Sequence, residues 1–240
     1  MINLEASDNY DFLICYYSPD RIEERFFQNI LRLIINYPIV WFNFLENILK
    51  NKIMVSFRNA AMIVSTELLT PQQKKYFDHV YHCMVNSRSI IKSIKKKGFL
   101  IIYFYSQKIC DFFENSGFWL EYLTAMACSE IGFTTYRGAL LKTKDQKIQE
   151  VDVLIDLDSI VFLIECKDTY NYTNEDLKKI YDLRKKINVY SFAFFVCSKM
   201  GFELDYQKYE INLLRYRYNY YTFKKELKEL ITKRIIGLSF

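Results

Sequence analysis

The sequence lacks several features that mark large classes of proteins. No apolar run approaches the 18 or more residues of a membrane span, and the first residues have neither a basic end nor an apolar signal core. We therefore expect a cytoplasmic protein. The six glycines form no phosphate-binding loop, and the chain shows no internal repeat and no low-complexity linker.

Paired cysteine motifs are also missing. The six cysteines have no CxxC spacing, and several lie in apolar stretches, so they are interpreted as reduced core residues. A disulfide framework and a zinc site are both disfavoured. His79, His82 and Cys83 lie close in sequence, but on one helix they cannot all face one ion. The cysteines are Cys15, Cys83, Cys110, Cys128, Cys166 and Cys197.

What the chain does have is apolar and aromatic surface to bury. Of its 240 residues, 51% are hydrophobic and 18% are aromatic, which predicts one large or two small globular domains. The net charge of +5 lies in residues 1–110, where 14 Lys and Arg face 9 Asp and Glu. Within that part Lys95, Lys96 and Lys97 could neutralise phosphates, although a solvated helix end is an equally good interpretation.

The first part of the chain is predicted to be mostly helical, as a basic N-terminal region over residues 1–104. A strand over 10–17 precedes a helix that starts near Asp20 and has acid in its first turn. Thr70 followed by a proline predicts the start of a further helix. Helices are predicted for 20–35, 41–49, 58–69 and 70–94, and a strand for 99–105.

The second part, residues 105–240, alternates strands and helices. The stretch 117–128 is apolar nearly all round, which predicts a buried helix whose one conspicuous charge is Glu121. A buried carboxylate needs a partner or a metal. The predicted fold class is α/β, a mixed β-sheet flanked by helices. Strands are predicted for 133–142, 150–157, 160–166, 189–197 and 218–223, and helices for 173–186, 206–216 and 224–235.

The predicted strand at 160–167 ends in two charges. Glu165 and Lys167 are two residues apart, so their side chains share one face of the strand. An acid two residues before a lysine occurs four times here, but only Glu165 ends a run of β-forming residues. A salt bridge at a strand end would explain the pair. Alternatively, Asp152 on the preceding strand could reach the same place and complete a phosphodiesterase site.

Three short motifs occur in order within residues 105–240. With the elements around them they resemble the PD-(D/E)xK nuclease superfamily, whose core is a helix, a three-stranded meander, a helix and a further strand. They are similar in particular to the nuclease domains of CRISPR-associated ancillary nucleases of the Card1 and Can2 type. Those carry Gly-Trp-Leu-Glu, Asn-Glu-hydrophobic-Asp and Ile-Glu-Cys-Lys. This chain has Phe118-Trp119-Leu120-Glu121, Gln149-Glu150-Val151-Asp152 and Ile164-Glu165-Cys166-Lys167.

The resemblance implies a restriction-endonuclease-like fold and a catalytic set. Asp152 and Glu165 would bind Mg²⁺ or Mn²⁺, with the carbonyl of Cys166 as a third ligand. Glu121 would reach the metal through water or a second ion. Lys167 would orient or deprotonate the attacking water and help to hold the phosphate. Glu150 is a weaker candidate, because a carboxylate at a strand start is usually solvated.

Two lysines outside this set are further candidates for contacts with nucleic acid. Lys179 and Lys185 follow the active strand on a predicted helix and could touch phosphate. A solvated helix face is the competing interpretation.

These observations lead to one main hypothesis and two rivals. The main one is a metal-dependent endonuclease that cuts DNA, and RNA as a further substrate, in prokaryotic defence, and the resemblance implies a homodimer. The first rival is a nucleic-acid-binding or regulatory module that keeps the nuclease fold without turnover. The second is a nuclease held inactive until its N-terminal region meets a ligand, with a nucleotide activator as one candidate. Residues 1–104 do not show the alternating strands and helices of a sensor domain.

Overall fold

The computed structural model describes residues 2–6, 13–17, 19–115, 117–143, 147–157, 160–187, 190–199 and 205–237. The chain divides into two compact units. The insert unit is Pro19–Trp119, and the sheet unit combines Met1–Ser18 with Leu120–Phe240. The sequence predicts a domain boundary after residue 104. It does not predict that the first 18 residues belong with the second part of the chain.

Eleven strands and seven α-helices make up the described part of the chain. The strands are β1 (Ile2–Ala6), β2 (Leu13–Tyr17), β3 (Val55–Arg58), β4 (Ala61–Ser65), β5 (Ile90–Lys96), β6 (Phe99–Phe104), β7 (Thr134–Lys142), β8 (Ile148–Asp156), β9 (Ile160–Lys167), β10 (Tyr190–Cys197) and β11 (Ile211–Arg215). The helices are α1 (Arg21–Asn36), α2 (Pro38–Phe44), α3 (Pro71–Asn86), α4 (Gln107–Glu114), α5 (Phe118–Ile131), α6 (Asn174–Lys186) and α7 (Tyr220–Ile236).

The sheet unit is built on a seven-stranded mixed sheet. Its strand order is β1-β2-β7-β8-β9-β10-β11. The β7-β8-β9 meander is antiparallel, whereas β9, β10 and β11 run parallel. Parallel neighbours need a crossover, and α6 supplies the one between β9 and β10. The mixed sheet with flanking helices is the predicted fold class.

The middle strands of this sheet are buried. In β9 every residue from Val161 to Cys166 is buried, which is why its sequence is a nearly continuous apolar run. Leu177, Ile180 and Leu183 of α6 pack on the strands as an i, i+3, i+6 stripe within one hydrophobic cluster. Apolar packing therefore fixes the end of β9, where the charges lie.

The insert unit has its own aromatic core and a four-stranded antiparallel sheet in the order β3-β4-β6-β5. Phe26, Trp41, Phe44, Phe112 and Phe113 are all almost fully buried and contact one another through their rings. A π-helical turn, Leu45–Leu49, follows α2.

Helix starts follow the predicted capping chemistry. Asp20 accepts hydrogen bonds from the backbone N–H groups of Ile22 and Glu23, and Glu23 completes a capping box. Thr70 and Gln73 form the same arrangement at α3. Both predicted helix starts are confirmed.

Four predicted elements are wrong. The stretch 58–69 was predicted as a helix but contains the end of β3 and all of β4, joined by Asn59 and Ala60 at φ of 50° and 55°. The helix predicted to 94 ends at Asn86, so Lys95 and Lys96 lie in β5 and Lys97 in the turn to β6. Residues 206–216 form turns and β11 rather than a helix, and 218–223 begins α7 rather than a strand. These segments carry apolar spacings compatible with either period.

Two further expectations concern the cysteines and membrane-spanning helices. Among the described residues, Cys83, Cys110, Cys128, Cys166 and Cys197 are free, and all but Cys83 are buried. In the same part of the chain, no helix has both the length and the apolar character needed to cross a membrane.

Candidate active site

The end of β9 brings Glu165 and Lys167 together. The Nζ atom of Lys167 lies 2.6 Å from Oε1 of Glu165, and Glu165 is only 5% exposed. The predicted shared face is therefore confirmed, and so is the ion pair. Because the carboxylate is buried, this pair differs from a surface salt bridge, whose partners keep their hydration.

Asp152 reaches the same place from β8. The backbone pairing of β8 and β9 runs from Asp156 with Val161 to Val153 with Ile164. One residue further, the Oδ2 atom of Asp152 accepts a hydrogen bond of 2.7 Å from the backbone N–H of Cys166. The Asp152 side chain thus continues the strand pairing where the backbone ladder ends, which fixes its carboxylate beside Glu165.

Glu121 approaches from α5. It is 8% exposed, and its Oε2 atom lies 3.7 Å from Nη1 of Arg137 on β7. The same guanidinium donates a 2.7 Å hydrogen bond to the Tyr122 hydroxyl and lies 3.7 Å from the centre of that ring. Arg137 is therefore held between a buried carboxylate and an aromatic ring.

The buried carboxyl groups repel one another. Burial raises the pKa of Glu121 from 4.5 to about 8, Asp152 adds to the rise, and Arg137 opposes it. Burial and Glu165 raise the pKa of Asp152 from 3.8 to about 7, although the Cys166 N–H and Lys167 favour its ionised form. Both groups would therefore be stabilised as carboxylates by an added positive charge.

Lys167 remains a cation in this setting. Burial lowers its pKa, but the Glu165, Asp152 and Asp176 carboxylates outweigh that effect, and the net pKa is raised. Asp176 also caps α6, where its Oδ2 accepts from the Thr173 N–H at 2.8 Å, while its Oδ1 lies 3.8 Å from Lys167 Nζ. The start of α6 therefore helps to place the lysine.

The donor set suits a hard divalent cation. Carboxylate oxygens are the ligands that Mg²⁺ and Mn²⁺ prefer, and Mg²⁺ commonly takes only one or two of them and keeps its waters. No three His, Cys, Asp or Glu side chains in the described ranges converge as a closed metal site. The residues fit an open site on Asp152 and Glu165. The thiol of Cys166 donates to Thr124 at 3.7 Å, so only its carbonyl could be a ligand.

Other predicted residues lie outside this cluster. Glu150 is exposed on β8, though its charge contributes to the raised pKa values of Glu121 and Asp152. Lys179 and Lys185 are exposed on α6, and Lys185 Nζ lies 4.2 Å from the centre of the Tyr181 ring. Lys95, Lys96 and Lys97 belong to the insert unit.

Sequence reasoning missed two residues of the cluster. Arg137 is a charge in the middle of β7, just before the apolar residues Ala139 to Leu141, and that signal was available in the sequence. Asp176 stands three residues after Thr173, which is a capping-box spacing. Its contact with Lys167 depends on the packing of α6 on β9, so the local pattern could not reveal it.

Comparisons with known proteins place the fold. No protein-family model and no curated protein matches the sequence. Protein VC1899 from Vibrio cholerae superposes with a TM-score of 0.59 at 16% identity, over 91% of this chain and 58% of that one. Can2 from Sulfobacillus thermosulfidooxidans, solved in complex with cyclic tetra-adenylate, gives a TM-score of 0.51 at 13% identity, over 92% and 57%. The small subunit of the heterodimeric restriction endonuclease R.BspD6I gives 0.31 at 15% identity, over 46% and 72%.

The first two similarities show the fold. This chain shares its mixed α/β fold with VC1899 and Can2, and the predicted fold class is confirmed at that level. It spans less than two thirds of the length of VC1899 and of Can2.

Proposed function

We propose that this chain is a metal-dependent endonuclease that hydrolyses phosphodiester bonds in DNA, with RNA as a further substrate, and acts in prokaryotic defence. One observation carries the proposal. The half-buried Asp152 carboxylate of β8 is fixed beside the buried Glu165 of β9, which is paired with Lys167, and the buried Glu121 of α5 interacts with both carboxylates through its charge. The fold shared with Can2 and the three motifs that resemble those of PD-(D/E)xK nucleases support the same proposal.

Each residue has a role that its contacts support. Asp152 and Glu165 would hold Mg²⁺ or Mn²⁺, which supplies Lewis-acid chemistry: it lowers the pKa of a bound water and offsets charge on the phosphate. Lys167 would hold the scissile phosphate by charge, since its raised pKa favours that role over the role of base. Glu165 keeps the ammonium in place, and a bound cation would favour the ionised form of Glu121, which would then add negative charge to the site.

Arg137 and Asp176 are positioning residues in this mechanism. Arg137 holds the Glu121 carboxylate at 3.7 Å, and Asp176 faces Lys167 from the start of α6. Neither needs to touch the substrate. Each limits the number of arrangements in which the acidic cluster and the lysine can sit, which is how a preorganised site lowers a barrier.

A cleavage assay tests the proposal. Single- and double-stranded DNA and RNA are incubated with Mn²⁺ and either the native protein or Glu165→Ala. We expect cleavage by the native protein and its loss in the variant. If both proteins cut equally, the assignment of Glu165 is wrong; if neither cuts any substrate, the catalytic proposal is wrong. Glu229→Ala, which removes an exposed carboxylate from α7, is the matched control and should leave cleavage unchanged.

The non-catalytic rival predicts a different result. A binding or regulatory module would bind the same substrates without turnover in any divalent metal. The resemblance also implies a homodimer and allows a nucleotide activator. Light scattering measures the first, and cleavage measured with and without cyclic oligoadenylate measures the second.

A further inference from the structure

The sheet of the insert unit has one covered face. Met62, Val64 and Ile102 are fully buried and alternate with residues that point the other way. Ser93 pairs with Ile102 and accepts a 3.1 Å hydrogen bond from the Tyr81 hydroxyl of α3. Helix α3 therefore packs on this side.

The opposite side, here called the outer face, carries exposed aromatic residues. Paired residues of antiparallel strands share a face, so the register defines it. On the central strand β6, Phe99 is 46% exposed and Tyr103 is 37% exposed, with Ile101 between them. The three rows across β4, β6 and β5 are Ala61-Tyr103-Lys92, Ile63-Ile101-Ile94 and Ser65-Phe99-Lys96.

The charged residues in these three rows are both basic, and the nearby Glu67 carboxylate lies by Gly98 in the turn beyond them. Lys92 and Lys96 flank the aromatic residues on β5, and Lys92 Nζ lies 5.9 Å from the centre of the Tyr103 ring. Arg58 of β3 pairs with Ala61, so it also lies on the outer face, at the edge away from β5. None of the residues in these rows is acidic. Residues 88–108 contain six Lys and Arg and no Asp or Glu.

We propose that the outer face binds single-stranded nucleic acid. Two bases would stack on Phe99 and Tyr103, which are about 13 Å apart along β6 at the usual rise of a strand. Lys92 and Lys96 would contact phosphates. Stacking needs bases whose faces are free, and in a duplex those faces are covered by neighbouring base pairs. The exposed rings therefore favour a single strand over a duplex.

This inference names a partner surface for the proposed nuclease, but it does not depend on cleavage. Binding can be measured with Glu165→Gln in EDTA, where the strand stays intact. A failure of binding at the outer face would leave the cleavage result untouched, and the converse also holds. The basic character of the insert unit favours a nucleic-acid partner. The sheet register identifies which of its residues share the outer face.

Fluorescence anisotropy with a labelled oligothymidine tests the proposal. In the Glu165→Gln protein, Phe99→Ala with Tyr103→Ala should weaken binding by about tenfold or more, since each stacked base contributes at least a severalfold share. Tyr190→Ala with Tyr221→Ala removes two exposed rings from the sheet unit and should change little. Circular dichroism confirms that all variants are folded.

Two double lysine substitutions test the proposed phosphate contacts. Lys92→Gln with Lys96→Gln should reduce the slope of log K against log salt by about 1.4, because each lost phosphate contact on a single strand removes about 0.7. Lys74→Gln with Lys75→Gln makes the same charge change on exposed positions of α3 and should leave the slope unchanged.

Four outcomes would overturn the inference. Equal losses in both charge pairs would mean that the unit attracts nucleic acid without using the outer face. Unchanged binding in the aromatic variant would exclude stacking, as would a preference for duplex DNA of the same length. Binding to vesicles with anionic lipid, with none to oligothymidine, would identify a membrane surface as the partner.

Discussion

Glu121 is the residue whose protonation matters most at the acidic cluster. Its pKa is raised to about 8, so below that pH the folded protein binds a proton that the unfolded chain releases above about 4.5. The neutral form favours folding, and this contribution falls as pH rises from about 4.5 to about 8. A divalent cation favours the ionised form and so opposes the loss.

Removing this group should flatten the pH profile. In EDTA, we expect the free energy of unfolding of the native protein, relative to Glu121→Gln, to fall between pH 4.5 and about 8. Urea denaturation at several pH values measures it. A constant difference across that range would show that Glu121 is ionised in the folded protein.

Lys167 offers a second test at the scale of one residue. Lys167→Arg keeps the charge, but a planar guanidinium cannot take the compact position of the ammonium 2.6 Å from Glu165. We expect kcat for cleavage to fall by about 10² to 10³, the usual cost of losing one positioned electrostatic donor, with substrate binding largely retained. Lys185→Arg, exposed on α6, is the control. Unaltered kcat in Lys167→Arg would remove the lysine from the mechanism.

Local sequence predicted the residues of the site best where they share one strand or adjacent strands. Glu165 and Lys167 follow from their spacing at the end of a run of β-forming residues, and Asp152 follows from a short connection between neighbouring strands. Arg137 and Asp176 come from elements that meet only after the helices pack. Their roles required the structure.

At the scale of elements, the start of α6 links helix capping to the site. Thr173 and Asp176 form a capping box, and the same Asp176 faces Lys167. Thr173→Ala should cost about 1 kcal/mol in the free energy of unfolding and also lower kcat, because Asp176 loses the 3.4 Å hydrogen bond from the Thr173 hydroxyl and keeps only the one from the backbone N–H.

Thr70→Ala is the matched comparison. It removes the same kind of cap from α3 and should cost a similar free energy of unfolding without an effect on kcat. Chemical denaturation and cleavage rates measure the two quantities. Equal effects of both substitutions on kcat would mean that capping acts through stability alone.

Elements were predicted well where their periodicity was unambiguous. Strand β9 and helix α6 match because one is a continuous apolar run and the other a capped amphipathic stretch. The prediction missed strand β5 because Ile-Ile-Lys-Ser-Ile-Lys-Lys fits both the helical and the strand period. It missed β3 and β4 because Asn59 and Ala60, which join them, are not a usual turn pair. Tertiary pairing with β6 decided these cases.

For the whole molecule, divalent metal should act as a stabilising ligand. Mn²⁺ at about one hundred times its dissociation constant should raise the free energy of unfolding of the sheet unit by about 2.7 kcal/mol. Asp152→Asn with Glu165→Gln should abolish that gain. Thermal or urea unfolding with Mn²⁺ against EDTA measures it without any substrate. An equal gain in both proteins would place the metal elsewhere.

The strand order of the larger sheet has a consequence for how the chain folds. Strands β2 and β7 are neighbours, and Cys15 pairs with Leu140, so the whole insert unit lies between them in sequence. Closing so long a loop costs conformational entropy, and local contacts do not offset that cost. The insert unit and the β7-β8-β9 meander can form from nearby residues first, and the pairing of β2 with β7 would come last. During synthesis, β2 can pair with β1 early, but its other edge must stay without its partner until β7 has emerged.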